Sequence, residues 1–409
     1  MSKPMGAIPA GFEAEDGMLL IGGRRADALV EQAGDTPLFV YDLSRVTAQV
    51  RRFRSACPGV NLHYAIKANT YASLLKHISK LVDGLDVASA GEMTAALASG
   101  TDSREISFAG PGKRDDELVA AIEAGVTLNL ESEGEAERAL AIGRAQGRTP
   151  RLAVRVNPDF EIKGSGMRMG GGAKPFGVDA ARVPALVRRL IEGGAEWRGF
   201  HIFAGSQALA AEALIEAQGA TVALAAELAS EIGATPPLVN LGGGFGIPYF
   251  ATEAALDVEA VGAALAETLA DRPKILAESG FAIELGRWLV GESGVYLTRV
   301  VDRKESHGKT FLVTDGGMHH QLAASGNFGQ VVRRNYPVAI AGRFDAEAEE
   351  EASIVGCLCT PLDRLADDVM IPRAEVGDLV AVFLAGAYGL SASPAAFLGH
   401  PPAREIAVE

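Results

Sequence analysis

The sequence predicts an α/β protein: a (β/α)8 TIM barrel followed by an antiparallel β domain. Three observations carry this expectation. Through the middle of the chain, short β-branched runs alternate with Ala/Leu/Glu-rich amphipathic runs, the pattern of parallel strands joined by crossover helices. About eight such units fall within roughly 220 residues, the count and size of a closed barrel. After residue 290 the texture changes: GVYLTRVVDRK, KTFLVTDGG, ASIVGCLC and GDLVAVFLAGAYG are separated by turn residues, with few helical runs. A doubly wound open sheet shares the local pattern and is the alternative.

The strand candidates, in order, are LHYAIKA (62–68), GLDVAS (84–89), ISFAG (106–110), TLNLES (127–132), RLAVRVN (151–157), GFHIFAG (199–205), LVNLGGG (238–244) and FAIELG (281–286). Between them lie amphipathic segments such as GEMTAALASG (91–100), DDELVAAIEAG (115–125) and EAERALAIGRAQG (135–147). MLLIGG (18–23) is expected to add a strand to the β domain. The expected organisation is an N-terminal segment over 1–36 joining the β domain, the barrel over 37–285, and the C-terminal β domain over 286–409.

With 409 residues, 48% of them apolar, the chain has material for a sizeable core and two domains. A formal net charge of −14 disfavours a nucleic-acid partner, because phosphate binding needs a basic patch. The start, MSKPMGAIPAGF, lacks a basic region followed by an apolar run, so no secretory signal is expected. The longest apolar stretch, LVAVFLAGA (379–387), is too short for a bilayer and reads as a buried strand. Three cysteines, Cys57, Cys357 and Cys359, form no framework and fit a reducing cytoplasm. Cys357 and Cys359 make a C-x-C pair without a neighbouring Cys/His cluster, so no metal site is expected.

HYAIKAN (63–69) places Lys67 at a strand end, on the face of His63 and the small Ala65 and opposite Leu62, Tyr64 and Ile66. Such a lysine ordinarily snorkels to water or pairs with a carboxylate. Held in a site, it becomes a nucleophilic amine. In a β/α barrel, function gathers at the carboxyl ends of the strands, and phosphate sites favour the loops after strands seven and eight. The seventh candidate ends in LGGGFG (241–246), whose glycines expose backbone N–H groups to an anion. The eighth ends in IELGR (283–287), an acid, a glycine and an arginine. Glu284 reads either as half of a buried ion pair, with Arg155 a candidate partner, or as a carboxylate facing a cationic heterocycle. Asp86, Glu92, Arg155, Asn157, His201 and Ser206 add polar groups at the same strand ends. A lysine, a phosphate cup and a carboxylate for a ring nitrogen together describe pyridoxal 5′-phosphate.

YAIKAN, DVASAGE, FAGPGK, HIFAGSQ, LGGGFG, ELGR, GCLC and GAYG occur in the order seen in the fold-type III pyridoxal phosphate decarboxylases. From Thr36 to Pro402 the chain resembles this ornithine, diaminopimelate and arginine decarboxylase group, which is related to alanine racemase. The resemblance implies an alanine racemase-like barrel with a β-sandwich-like domain, in a head-to-tail homodimer with shared active sites. It matches Lys67 to the cofactor-linking lysine and Glu284 to the glutamate on the pyridine nitrogen. Ser206, Gly242, Gly243, Gly244, Arg287 and Tyr388 match phosphate-contacting positions. Cys359 matches the cysteine that crosses the dimer and is linked to protonating the product carbanion. Asp86, Arg155, His201, Phe203 and Gly286 complete the expected cofactor site.

The chain departs from that pattern in three places. Phe203 stands where the family usually has a ring-stacking histidine, with His201 at the preceding inward-facing position. ELGR replaces E-P-G-R. Thr360 replaces the acidic residue that follows the cysteine when the substrate has a distal ammonium. With NPDF…GMRMGGG…FGVD, DGGMHH, RRNYP and FLGHP, these features resemble a narrower subgroup. It includes the glutamyl-acyl-carrier-protein decarboxylase of butirosin biosynthesis and exosortase-associated decarboxylases. Met167 and Met169, on a glycine-rich loop, are core by default or line a substrate entrance.

The expected function is a cytoplasmic carboxy-lyase acting on an amino acid or on an amino-acyl group, free or presented by a carrier protein. Arg287, Arg333, Arg334, Tyr336, Thr360 and Asp363 are the substrate candidates. Diaminopimelate decarboxylase, making L-lysine, is the alternative. A racemase is disfavoured by Glu284, where alanine racemases generally carry an arginine; a non-catalytic homologue is disfavoured by Lys67, the glycine cup, Arg287 and Tyr388.

Overall fold

The structure, a computed structural model, describes residues 2–160, 167–168, 171–328 and 333–409. Lys163, Met169 and, within the GMRMGGG loop, also Gly166 and Gly170 lie outside the described residues. The chain forms two compact units. A barrel unit comprises Gln49–Gly246 and Ala255–Gly286, and a β unit comprises Met1–Ala48, Ile247–Ala254 and Arg287–Glu409.

The barrel strands are β1 (Asn61–Ala65), β2 (Gly84–Val87), β3 (Ile106–Phe108), β4 (Thr127–Leu130), β5 (Arg151–Asn157), β6 (Glu196–Ile202), β7 (Leu238–Gly243) and β8 (Gly280–Leu285). Each pairs in parallel with the next, and β8 pairs with β1, so the sheet closes on itself. All eight expected strands are present, and closure removes the open-sheet alternative. β1 ends earlier than expected, however. Ile66–Ala68 form a 3-10 turn, so Lys67 sits just beyond the strand rather than in it.

Local chemistry sets the helices that return the chain between strands. Ser89 and Ser132 each accept a backbone N–H three residues on, capping Ala90–Ala98 and Glu133–Gln146. Gly125, Gly147 and Gly233 end their helices in the left-handed region, where a glycine carries no Cβ penalty. Leu62, Tyr64, Leu85, Leu128, Val154 and Ile283 are fully buried within this unit.

The β unit centres on Gly294–Ser306, flanked by Lys309–Thr314 and Leu379–Val382. Two expectations need correction here. The boundary at residue 36/37 shifts to Ala48/Gln49, because Leu38–Asp42 pairs antiparallel with Gly294–Leu297 and parallel with Arg404–Val408. Its burying partners are thus far away in sequence, and Phe39, Tyr41 and Tyr296 pack together as one aromatic cluster. MLLIGG does add its strand to the β unit, in a separate small sheet where Met18–Ile21 pairs with Glu13–Glu15 and Arg24–Arg25. The larger sheet is also mixed rather than purely antiparallel, since Lys309–Thr314 runs parallel to Glu350–Val355. No helix among the described residues is long and apolar enough to cross a membrane.

Candidate active site

The carboxyl ends of the barrel strands enclose a cavity of about 230 Å³, lined by Lys67, Asp86, Arg155, His201, Phe203 and Glu284 among others. All six belong to the cofactor site expected from the sequence. Lys67 is exposed, and its Nζ lies 5.9 Å from the centroid of the Phe203 ring. The turn that presents it is fixed from below. Tyr64 donates its hydroxyl to the Asn69 carbonyl at 2.9 Å, and the Asn69 N–H bonds the Ile66 carbonyl at 2.9 Å. Gly286 packs against that turn: a Cβ there would lie 2.9 Å from the Ala68 Cβ and 3.2 Å from the Ala65 carbonyl. Space beside Lys67 is the physical requirement at this glycine.

Glu284 is buried at the inner face of β8. His201 Nε2 lies 2.9 Å from its Oε2, and Asn240 donates to the same oxygen at 3.2 Å. Burial pushes the carboxyl pKa up, but the His201 ring, followed by Lys67 and Arg155, outweighs it and holds the pKa down at about 2. The ion-pair expectation is therefore met by a different partner. Arg155 instead pairs with Glu131 at 2.9 Å, whose two oxygens also accept the Gly110 and Gly177 N–H groups. Glu131 and Asn240 are residues that sequence reasoning passed over. Their signal was present, as an acid ending TLNLES and a polar residue inside LVNLGGG.

The turn after β7 is laced to the turn after β6. Ala208 N–H bonds the Gly244 carbonyl at 2.9 Å, and Gly246 N–H bonds the Ala208 carbonyl at 2.8 Å. Asn240 Oδ1 accepts the Gly242 N–H at 2.8 Å. Gly242 and Gly244 have φ of 70° and 84°, and a Cβ on Gly244 would stand 2.2 Å from the Gly205 carbonyl. Only glycine fits this close approach. Ser206 Oγ sits beside it, buried and without a partner. An orphaned hydroxyl on a glycine turn is a fit for a phosphate oxygen, and an ionised Glu284 is a fit for a protonated ring nitrogen. The residues present thus suit pyridoxal phosphate.

The β unit carries the remaining candidates. Arg287 donates to the Tyr249 hydroxyl at 2.7 Å, and its guanidinium lies 4.6 Å from the centroid of the Tyr388 ring. Tyr388 itself has φ of 54°, unusual for a residue with a side chain. Tyr336 is buried, with its ring centroid 4.7 Å from that of Tyr249. Arg334 pairs with Glu253 at 3.2 Å and covers the Phe250 ring at 3.6 Å. Arg333 donates to the Arg364 carbonyl, while its Nε is buried without a partner. Cys359 is exposed and Thr360 is half-buried on the same turn.

Asp363, expected as a substrate carboxylate, is held by backbone N–H groups. It is 2% exposed and accepts the Met318 and Leu358 N–H groups at 2.6 and 2.8 Å. Gly317 and Gly356 lie so close that a Cβ on either would stand 2.2 Å from its oxygens. Its two oxygens tie two turns together.

Residues 43–291 match the family model described as pyridoxal-dependent decarboxylase, pyridoxal binding domain. The chain is 38% identical over 381 residues to the L-glutamyl-[BtrI acyl-carrier protein] decarboxylase of Niallia circulans, covering 91% of this chain and 88% of that one. It is 30% identical over 403 residues to the diaminopimelate decarboxylase of Archaeoglobus fulgidus, covering 97% and 93%. The crystal structure of diaminopimelate decarboxylase from M. jannaschii in complex with L-lysine aligns with a TM-score of 0.88 at 27% identity, covering 98% of this chain and 93% of that one. A closed parallel barrel with a strand-end lysine, a buried ionised glutamate and a glycine turn, together with these likenesses, places the chain in the family of pyridoxal-dependent decarboxylases.

Proposed function

We propose that the protein binds pyridoxal 5′-phosphate through the Lys67 amine and removes the α-carboxylate of an amino acid or amino-acyl conjugate whose far end carries no ammonium. One observation carries the reading: Lys67 stands exposed beside Phe203 at a cavity whose buried carboxylate, Glu284, stays ionised down to about pH 2. When bound, the cofactor supplies a sink for the electron pair left as carbon dioxide departs. The chain's own residues do the rest. Lys67 offers the amine that holds the cofactor and yields it to the substrate amine. Glu284, kept ionised by His201 and Asn240, holds the proton on the ring nitrogen. Phe203 provides an aromatic face, and the turn at Gly242, Gly243 and Gly244 with Ser206 receives the phosphate. In the β unit, Arg287 places a cation against the Tyr388 ring.

The substrate reading rests on Thr360 and Asp363. A distal ammonium in an enclosed pocket needs a carboxylate, because a buried unpaired charge is costly. Thr360 has none to offer and Asp363 is occupied with backbone. A thioester-linked glutamyl group, as named for the N. circulans relative, satisfies this condition. Diaminopimelate is the second reading, favoured by the unpartnered Nε of Arg333, which suits the distal carboxylate of that substrate. The protein is proposed to work as a homodimer in which the exposed Cys359 of one chain serves Lys67 of the other as proton donor. Its three free cysteines suit the cytoplasm. The deciding experiment compares carbon dioxide release from diaminopimelate, ornithine, lysine, glutamate and a glutamyl-carrier thioester. The highest kcat/KM is expected for the thioester, and efficient turnover of ornithine or lysine would overturn the substrate reading.

A further inference from the structure

A second cavity, of about 210 Å³, opens at the amino ends of the same strands, and His63, Ser107, Asn129 and Asn240 are among its lining residues. It does not share a single lining residue with the cavity that holds Lys67. The two are nevertheless in polar contact through the middle of the barrel. His63 on β1 lines the amino-end cavity, and its Nδ1 lies 3.4 Å from Oδ1 of Asp86, which lines the site cavity. Asp86 Oδ1 also accepts from Ser107, whose hydroxyl accepts from Asn129 Nδ2 at 3.2 Å. Asp86 Oδ2 is buried without a partner. Gly84 leaves room for the imidazole, since a Cβ there would come within 2.9 Å of its Cε1 and Nε2. Barrel centres are ordinarily filled by apolar layers. An imidazole and a carboxylate at this depth therefore call for a task.

We infer that His63 and Asp86 form a proton path across the barrel, from the amino-end cavity to the site cavity. Decarboxylation creates the demand. Each turnover breaks one C–C bond, the carbon keeps the electron pair, carbon dioxide leaves, and one proton must reach that carbon. The path supplies the proton that recharges the donor in the site. A proton from water binds His63 Nε2, and the proton on Nδ1 passes to Asp86 Oδ1. Rotation of the carboxyl group about Cβ–Cγ then presents the proton to the site cavity. Asp86 returns to its ionised form, and a half-turn of the His63 ring about Cβ–Cγ brings the protonated Nε2 to the Asp86 side and the bare Nδ1 to the amino-end cavity, where it takes the next proton from water and hydroxide diffuses away. Histidine suits such a shuttle because both ring nitrogens can carry the proton.

The surroundings favour a charged ring. The groups facing His63 are Asp86 on β2, Asp83 just before it and Glu284 on β8, with Arg104, Glu105 and Arg198 around the cavity. Burial lowers the imidazole pKa, and the Asp86 carboxylate, with Glu284 and Asp83, outweighs it, so the net shift is upward. The reservoir is therefore filled at low pH and empties as pH rises through that raised value.

The test joins a titration to kinetics. In the unsubstituted protein, the His63 ring signal is followed by NMR against pH without substrate, and Asp86→Asn should lower its midpoint. With a substrate that releases carbon dioxide, kcat should fall on the basic side at the midpoint of that titration. His63→Gln should lose that basic limb, lower kcat by about 10- to 100-fold and leave KM unchanged. His63→Ala should regain part of its kcat with added imidazole. A basic limb displaced from the His63 midpoint overturns the path, as does a His63→Gln enzyme with unaltered kcat. A His63 midpoint indifferent to Asp86→Asn overturns the pairing itself. Failure to find any decarboxylated amino acid would count against the functional reading and leave the titration result standing.

Discussion

Lys67 and Lys113 each follow a strand of the same barrel, and each lies near an aromatic ring, at 5.9 Å from that of Phe203 and 5.5 Å from that of Phe108. Their surroundings are otherwise opposite. The Lys113 side chain is 1% exposed, pairs with Glu135 at 2.9 Å, and donates to the Gly110 and Asn129 carbonyls at 2.7 and 3.0 Å. Lys67 is exposed and makes no hydrogen bond or ion pair among the described residues. A lysine whose ammonium has every donor engaged is part of the scaffold. One placed just past a strand end, exposed at a cavity, keeps its amine available for chemistry. The contrast extends to the neighbouring acids. Burial raises the pKa of both Glu135 and Glu284, but Glu135 stays raised beside Lys113, while His201, Lys67 and Arg155 together pull Glu284 down to about 2.

The largest effect is expected at Lys67. Lys67→Ala should reduce carbon dioxide release by roughly 10⁴-fold or more, because the group that holds the cofactor is gone. Stability in urea should change by no more than about 0.5 kcal/mol, as for other exposed positions. Full activity in this variant would erase the distinction between the two lysines. Lys113→Ala should do the reverse. It leaves Glu135 buried and unpaired, at a cost of about 3–5 kcal/mol in urea unfolding. Replacing both partners with apolar residues should recover much of that loss, and failure to recover it would mean that the pair is not the source of the stability.

Glu284→Gln sharpens the comparison between the acids. It should lower kcat by about 10²-fold, since a neutral amide cannot hold the ring-nitrogen proton. The pH dependence has a definite sign. The folded pKa lies below the ordinary glutamate value, so the stabilisation by the carboxylate is complete above that value and is lost as pH falls through about 2. The stability gap between the native chain and Glu284→Gln should therefore be steady near neutrality and shrink in acid. A gap that widens in acid would mean that His201 does not hold the carboxylate ionised.

Much of the barrel could be read in advance because its information is local. Each strand meets the next one in sequence, so periodicity alone ordered all eight, and Lys67, Glu284 and the glycine turn followed from their positions at strand ends. The β unit was harder because its partners are remote. Leu38–Asp42 carries no mark saying that it belongs with Gly294–Leu297 rather than with the barrel. Ion-pair partners were hidden for the same reason. Arg155 lies on β5 and Glu131 follows β4, and only the closed barrel brings Gly110 and Gly177 to the same carboxylate. The backbone partners of Asp363 were hidden too, because a carboxylate looks identical in sequence whether it faces a ligand or two turns of its own backbone.

The smallest effect concerns the β unit and tests whether the lysine contrast applies to acids near a substrate. Thr360 follows the exposed Cys359 and bonds locally, with its hydroxyl 3.4 Å from the Leu362 N–H. Thr360→Glu would put a carboxylate where none is now available, because Asp363 is committed to Met318 and Leu358. A new charge pair with the substrate is worth about 1.4 kcal/mol, or roughly tenfold in kcat/KM. The ratio of diaminopimelate turnover to glutamyl-thioester turnover should rise by about that factor. Asp363→Asn is the control: it should weaken the protein by about 1–3 kcal/mol through the unmade backbone bonds and leave the ratio unchanged. If Asp363→Asn shifted the ratio and Thr360→Glu did not, the acid that chooses the substrate would be the buried one, and the separation between structural and chemical charges would fail in this unit.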